Sequence, residues 1–130
     1  MNQILIPISP GELLDKITIL QIKAERIGDP GKVANVRSEL GLLQKVWDES
    51  VSEDDRIREL SAELKSINEA LWEIEDDIRD EERNQHFGER FIELARAVYV
   101  VNDDRANAKK KVNLYLNSNI VEEKSYRDYK

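Results

Sequence analysis

The chain predicts an all-α domain: a four-helix bundle of two antiparallel helical hairpins, the second longer than the first, with a short extended N-terminal strap and a polar C-terminal tail. Three observations carry that expectation. Aliphatic residues recur at alternating steps of three and four in four separate stretches, which is the period of one helix face. The stretches are parted by short irregular clusters, Gly28 to Gly31, Asp48 to Ser52 and Asn84 to Gly88, of the kind that end helices. Charged residues make up 36% of the chain while the aliphatics keep to periodic rows, so the charge belongs to a solvated exterior around one core. With 130 residues the chain has the size of a single domain, 1–130, and needs no disulfide to bury that core.

Ile4, Leu5, Ile6 and Ile8 open the chain in extended form, because Pro7 and Pro10 each disfavour helix in the residue before them, and they are expected to lie on the bundle as a strap. Ser9 then supplies an N-cap, Pro10 fits the first helical position, and Glu12 stands three residues after the serine as a capping box requires. Ile8 and Leu13 match the hydrophobic staple. Helix one follows over about 10–27, on Leu13, Ile17, Leu20, Ala24 and Ile27. Helix two, about 32–47, rests on Val33, Val36, Leu40, Leu43 and Trp47, and the short turn between them makes the pair antiparallel neighbours. Ser52 marks the start of helix three, with Asp55 three residues on and Glu53 and Asp54 near the positive end of the dipole. This helix, about 53–82 and roughly 45 Å long, is the expected spine, its seam being Ile57, Leu60, Leu64, Ile67, Leu71, Ile74 and Ile78. Helix four, about 88–117, presents Phe91, Leu94, Ala95, Val98 and Val101. It is interrupted chemically from Asn102 to Arg105 and resumes with Ala108, Val112 and Tyr115 or Leu116. Tyr126 and Tyr129 are placed to dock the polar tail back on the bundle.

Composition narrows the chemistry. There are no cysteines and one histidine, His86, so any metal site must be built mainly from carboxylates, and that favours hard ions. A formal net charge of -7 disfavours nucleic acid as a partner, because most of the surface repels a polyanion. No apolar run approaches the length of a bilayer, and the N-terminus lacks the charged and apolar regions of a signal peptide. A cytoplasmic location without membrane contact is the corresponding expectation.

Glu73, Asp76, Asp77 and Asp80 stand three and four apart, so they project from one side of helix three. They read either as a solvated acidic face balanced by Arg79 and Arg83 or as part of a divalent-ion site completed from helix four. The candidate metal set is Glu73, Asp76, Asp77 and Asp103, with magnesium as the possible ion. Arg105 is the more telling residue, since it stands where the seam calls for an aliphatic, and a desolvated guanidinium needs a carboxylate or an anionic ligand beside it. An ion pair with helix three and a ligand-facing fork both satisfy that need. Lys109, Lys110 and Lys111 cannot all face one way, being about 100° apart in succession, but one or two can join Arg105 around an anion. The candidate ligand-binding set is Trp72, Asp76, Asn102, Asp103, Arg105 and Lys109, in a polar notch between helices three and four. There is no glycine-rich phosphate loop, nucleophile elbow or His-Glu-x-x-His spacing.

Taken together, the segments SPGELLDKITILQIKAERI, NEALWEIEDDIR, FIELARAVYVVNDDRANAKKKVN and EEKSYRDY resemble a small bacterial family of helical domains without an assigned function. The resemblance spans nearly the whole chain. It implies the helical fold and, because such domains sometimes recur beside genes for surface-polysaccharide synthesis, a sugar or nucleotide-sugar context. A looser likeness is to the all-α nucleoside-triphosphate pyrophosphohydrolases, which hold magnesium with a Glu-x-x-Glu pair on one helix and a Glu-x-x-Asp pair on the next. Glu73 and Asp76 match one such pair in spacing. The second is missing, since Glu93 is followed three later by Arg96, and Asp103 by Ala106. Two functions of different class follow. One is a binding or assembly module whose notch takes an anionic small molecule, and the other a magnesium-dependent nucleotide phosphohydrolase. The unequal hairpins leave apolar surface for a second copy, so a homodimer is expected.

Overall fold

A computed structural model describes residues 2–130, and within them four helices run α1 (Pro10–Arg26), α2 (Pro30–Ser50), α3 (Asp55–Arg83) and α4 (Glu89–Tyr115). The all-α architecture and the two hairpins are as the periodicity predicts. Helix α4 passes through the Asn102 to Arg105 interruption unbroken. Among the described residues, no helix is long and apolar enough to cross a membrane.

The helix starts follow from capping chemistry. The Ser9 hydroxyl accepts from the Glu12 amide at 3.2 Å and Pro10 takes the first helical position, each relieving an orphan donor of the first turn. The capping box is only half made, because the Glu12 carboxylate turns instead to Lys109 at 3.0 Å. Asp29 caps α2 through the Lys32 amide at 2.9 Å. For α3 the cap is Asp54, which accepts from the Ile57 amide at 2.8 Å, and not Ser52. The carboxylate nearer the helix is the stronger acceptor, and its other oxygen takes the Tyr115 hydroxyl at 2.5 Å, tying the end of α4 to the start of α3.

Helix α1, rather than α3, is the hub. It packs against α2, α3 and α4, while α2 makes helix-to-helix contact with α1 alone. Its apolar residues therefore cover most of its circumference: Leu13, Leu14, Ile17, Leu20 and Ile22 are all buried. Cross-links give the directions. Gly11 meets Asn113 and Asp15 meets Arg105, so α1 is antiparallel to α4. Thr18 meets Asn68 and Arg26 meets Glu73, so it runs parallel to α3.

Because α1 ends at Arg26, opposite Glu69 and Glu73, the rest of α3 and the first turns of α4 project beyond it as a two-helix arm. Burial records this. Ile57, Leu60 and Leu64 lie in the central cluster with Leu13, Leu14, Ile17, Trp47, Ala108 and Val112, whereas Leu71, Ile74 and Ile78 are only half-buried. The N-terminal strap departs from expectation. Ile8 packs on the core, but Ile4, Leu5 and Ile6 are exposed, since the extended backbone before Pro7 leads away from the helices.

A close backbone approach occurs at Gly11, where α1 starts against the end of α4. Its amide donates to Asn113 Oδ1 at 2.7 Å, and a Cβ there would lie 2.4 Å from the Lys109 carbonyl oxygen. Only glycine lets two backbones come so near. Gly11→Ala is expected to lower the unfolding free energy in urea by about 1–3 kcal/mol through overpacking. Gly41→Ala in α2, where an added methyl meets nothing within 4 Å, is expected to raise it by up to about 1 kcal/mol. Equal urea midpoints for the two variants would refute the close approach.

Candidate functional site

The middle of the molecule holds a polar cluster that α1, α3 and α4 build together. Asp15, wholly buried on α1, is its centre. The guanidinium of Arg105 on α4 grips it with two bonds, Nε donating to Oδ1 at 2.9 Å and Nη2 to Oδ2. Asn68 on α3 donates to the same Oδ1 at 2.9 Å and to the Thr18 hydroxyl at 3.0 Å. Thr18 in turn donates to the Asp15 carbonyl one turn back at 2.8 Å. No buried side-chain nitrogen or oxygen among the described residues lacks a partner, which is what allows such a cluster to sit in a core.

The pairing raises the Arg105 pKa above its usual value, the Asp15 hydrogen bond outweighing the opposing effect of burial. Arg105 thus finds the carboxylate that its seam position demands, but on α1 and not on α3 as the notch between two helices anticipated. The reason is the hub geometry: α1 lies against α3 and α4 at the level of Arg105.

Arg105 is not sealed in. Its side chain is 29% exposed against 0% for Asp15, and it lines a groove of ≈ 520 Å³ between α1, α3 and α4. Its lining is mixed: α1 contributes Ile19, Ile22 and Lys23, α3 contributes Asn68, Leu71, Trp72, Glu75, Asp76 and Arg79, and α4 contributes Asn102 beside Arg105, with Arg79 paired to Glu75 at 3.2 Å. Four of the candidate ligand-binding residues, Trp72, Asp76, Asn102 and Arg105, therefore share one site.

The other two do not. Residues 102 and 105 stand three apart and share a face, while 103 is turned about 100° away. Asp103 accepts from Lys124 of the tail, and that bond holds its carboxyl below the usual carboxylate range. Lys109 Nζ is shared between Glu12 and Glu122 at 3.0 Å each. These groups border a second cavity, of ≈ 430 Å³, between α4 and the tail, with Tyr99, Lys124 and Tyr126. Asn102 and Arg105 border both cavities.

The candidate metal set is dispersed. Glu73 pairs with Arg26 at 3.4 Å, Asp77 with Arg90 at 3.5 Å and Asp103 with Lys124, leaving Asp76 in the groove. Among the described residues, no three carboxylate or histidine side chains converge to hold an ion. The acidic repulsion along α3 is instead relieved by arginines of α1 and α4.

Sequence reasoning missed Asp15, Thr18, Asn68 and Lys23. The signal was present in part: Asp15 lies within Leu13, Leu14, Ile17, Ile19, Leu20 and Ile22, a stretch apolar on nearly all sides, so a carboxylate inside it has little route to water.

A family model described as a family of unknown function (DUF6165) matches residues 4–129, and the chain belongs to that family. No curated protein and no solved structure matches the chain. The likeness to nucleoside-triphosphate pyrophosphohydrolases finds no support in these comparisons.

Breaking a buried pair costs about 3–5 kcal/mol when the remaining charge stays buried. Arg105→Met is expected to fall in that range, since Asp15 has no access to solvent. Asp15→Asn is expected to cost less, because the freed guanidinium already reaches water. The double variant should cost less than the sum of the two. Urea unfolding that gave Asp15→Asn the larger loss would contradict this reading of the cluster.

Proposed function

We propose that this member of the family is a non-catalytic binding module whose groove between α1, α3 and α4 takes a small anionic molecule with an apolar or planar body. One observation carries the reading: a guanidinium clamped in place by a wholly buried carboxylate opens onto a groove walled by Trp72. Clamping matters because a long side chain otherwise loses rotamer freedom on binding, and that loss subtracts directly from affinity. The groove also has the size of small-molecule sites in general, about 300–1,000 Å³.

The division of labour follows from the lining. Trp72, Leu71, Ile19 and Ile22 offer apolar area to the body of the ligand. Arg105 and Lys23 face its negative end, and Asn102 supplies an amide that can donate or accept. Asp76 and Glu75 make the groove mixed in charge rather than basic, which selects against simple polyanions and for ligands that also carry a hydrogen-bond donor. A second copy of the chain is the assembly partner that fits the projecting arm of α3 and α4, where Leu71, Ile74 and Ile78 are half-covered and Ile92 and Val100 are exposed.

Trp72 supplies the readout. Of the two tryptophans, Trp47 is 1% exposed in the core and Trp72 borders the groove. A panel of small carboxylates and phosphates is expected to contain members that raise the melting temperature and change the emission of Trp72 together, with the emission change lost in Trp72→Phe. Arg105→Lys should weaken those ligands by about tenfold to a hundredfold, the value of a charge-assisted hydrogen bond. Ligands that bind Arg105→Lys as tightly as the native chain would refute the assignment.

A further inference from the structure

The second cavity raises a separate question, because the groups that line it are engaged by the chain's own tail. Beyond α4, residues 117–130 form no helix or strand and are almost entirely exposed. They are nevertheless held along α4 by three contacts. Glu122 accepts from Lys109 at 3.0 Å, Lys124 donates to Asp103, and the ring of Tyr129 meets that of Tyr99 edge-on at 5.0 Å between centroids.

The first contact is unlike an ordinary surface pair. Lys109 is 12% exposed, whereas Glu122 is 61% exposed. The cation is thus a part of the helix wall, and the carboxylate is brought to it by an exposed segment outside the helices. Behind Lys109 stands Glu12, and on either side lie Arg105 and Lys124. Lys109 consequently has a raised pKa despite the opposing effect of burial, through both of its carboxylates, and stays charged.

We propose that this cavity is a carboxylate-binding site for which Glu122 is the internal occupant, and that a small monocarboxylate with an aromatic body displaces the Glu122 carboxylate from Lys109 while Lys124 and Tyr129 keep the tail along α4. Charge balance selects the monoanion. The exchange of one carboxylate for another leaves Lys109, Glu12, Arg105 and Asp15 as they stand, while a dianion would add uncompensated negative charge beside Glu12, Asp15 and Asp103. Tyr99 and Tyr126 supply faces for an aromatic body, and the cavity is of small-molecule size. The Glu122 carboxylate then acts as a tethered competitor, with an effective concentration of roughly millimolar order. This inference concerns the face of α4 that the tail covers, which adjoins the Trp72 groove at Asn102 and Arg105, and it does not rest on that groove's occupant.

The experiment is a titration of the full chain with benzoate, acetate and inorganic phosphate, followed by amide NMR of residues 118–130. Benzoate is expected to shift the amides around Glu122, acetate to do so more weakly, and phosphate least. Glu122→Gln keeps the side chain's shape at an exposed position and removes the competing charge. It should tighten benzoate binding by roughly three- to tenfold, as expected when a competitor at millimolar effective concentration is lost. Amides around Glu122 that stay unmoved at saturating benzoate, an unchanged benzoate affinity in Glu122→Gln, or phosphate binding more tightly than benzoate would each overturn the proposal. Signal changes confined to Trp72 and its neighbours would do the same while leaving the groove reading intact.

Discussion

A carboxylate without access to water governs this fold. Ionised Asp15 is tolerable in the interior only while Arg105 and Asn68 hold it, because an unpaired buried charge is far more expensive than any single apolar contact is favourable. The requirement is geometric as well as energetic. Arg105 comes from α4 and Asn68 from α3, so one side chain of α1 fixes the register of both partners. A sliding of either helix by one turn, about 5.4 Å, would strand the charge. Aliphatic ridges alone tolerate such slips more readily, and the cluster removes that freedom.

Placing the charge on α1 also explains why the shortest helix sits at the centre. Its 17 residues are buried on several faces at once, as Leu14, Thr18 and Ile22 show, and its brevity leaves the outer halves of α3 and α4 to pack on each other. The groove opens where α1 stops covering its neighbours, so the site is a product of unequal helix lengths. A fourth helix packed along the full length of α3 and α4 would have closed it.

The parts of this structure legible in the sequence are those set by local chemistry. The Ser9 cap with Pro10, the four periodic stretches and the continuity of α4 through Asn102 to Arg105 all follow from residues close in the chain. Arg105 was recognisable as a residue needing an anion, because it interrupts an apolar seam. Its partner was not, since no feature of the sequence says that position 15 lies beside position 105. Asp76 with Asn102 and Trp72 was anticipated as a site, whereas Asp103 and Lys109 border the adjoining cavity, where the tail engages them. The acidic row of α3 read more readily as a solvated face than as a set of ion ligands. The choice turned on arginines at 26 and 90, which only the tertiary arrangement brings near.

The solitary attachment of α2 bears on how the molecule comes apart. Helix α2 lies along α1 and no other helix, with Trp47 its one buried residue. Opening of that hairpin therefore disrupts a single seam, while loss of α1 removes every interface except that of α3 with α4. Such asymmetry divides the domain into a peripheral cooperative unit and a central one. Amide protons in the middle of α2 are therefore expected to exchange from a partly opened form, and those of α1 only on global unfolding.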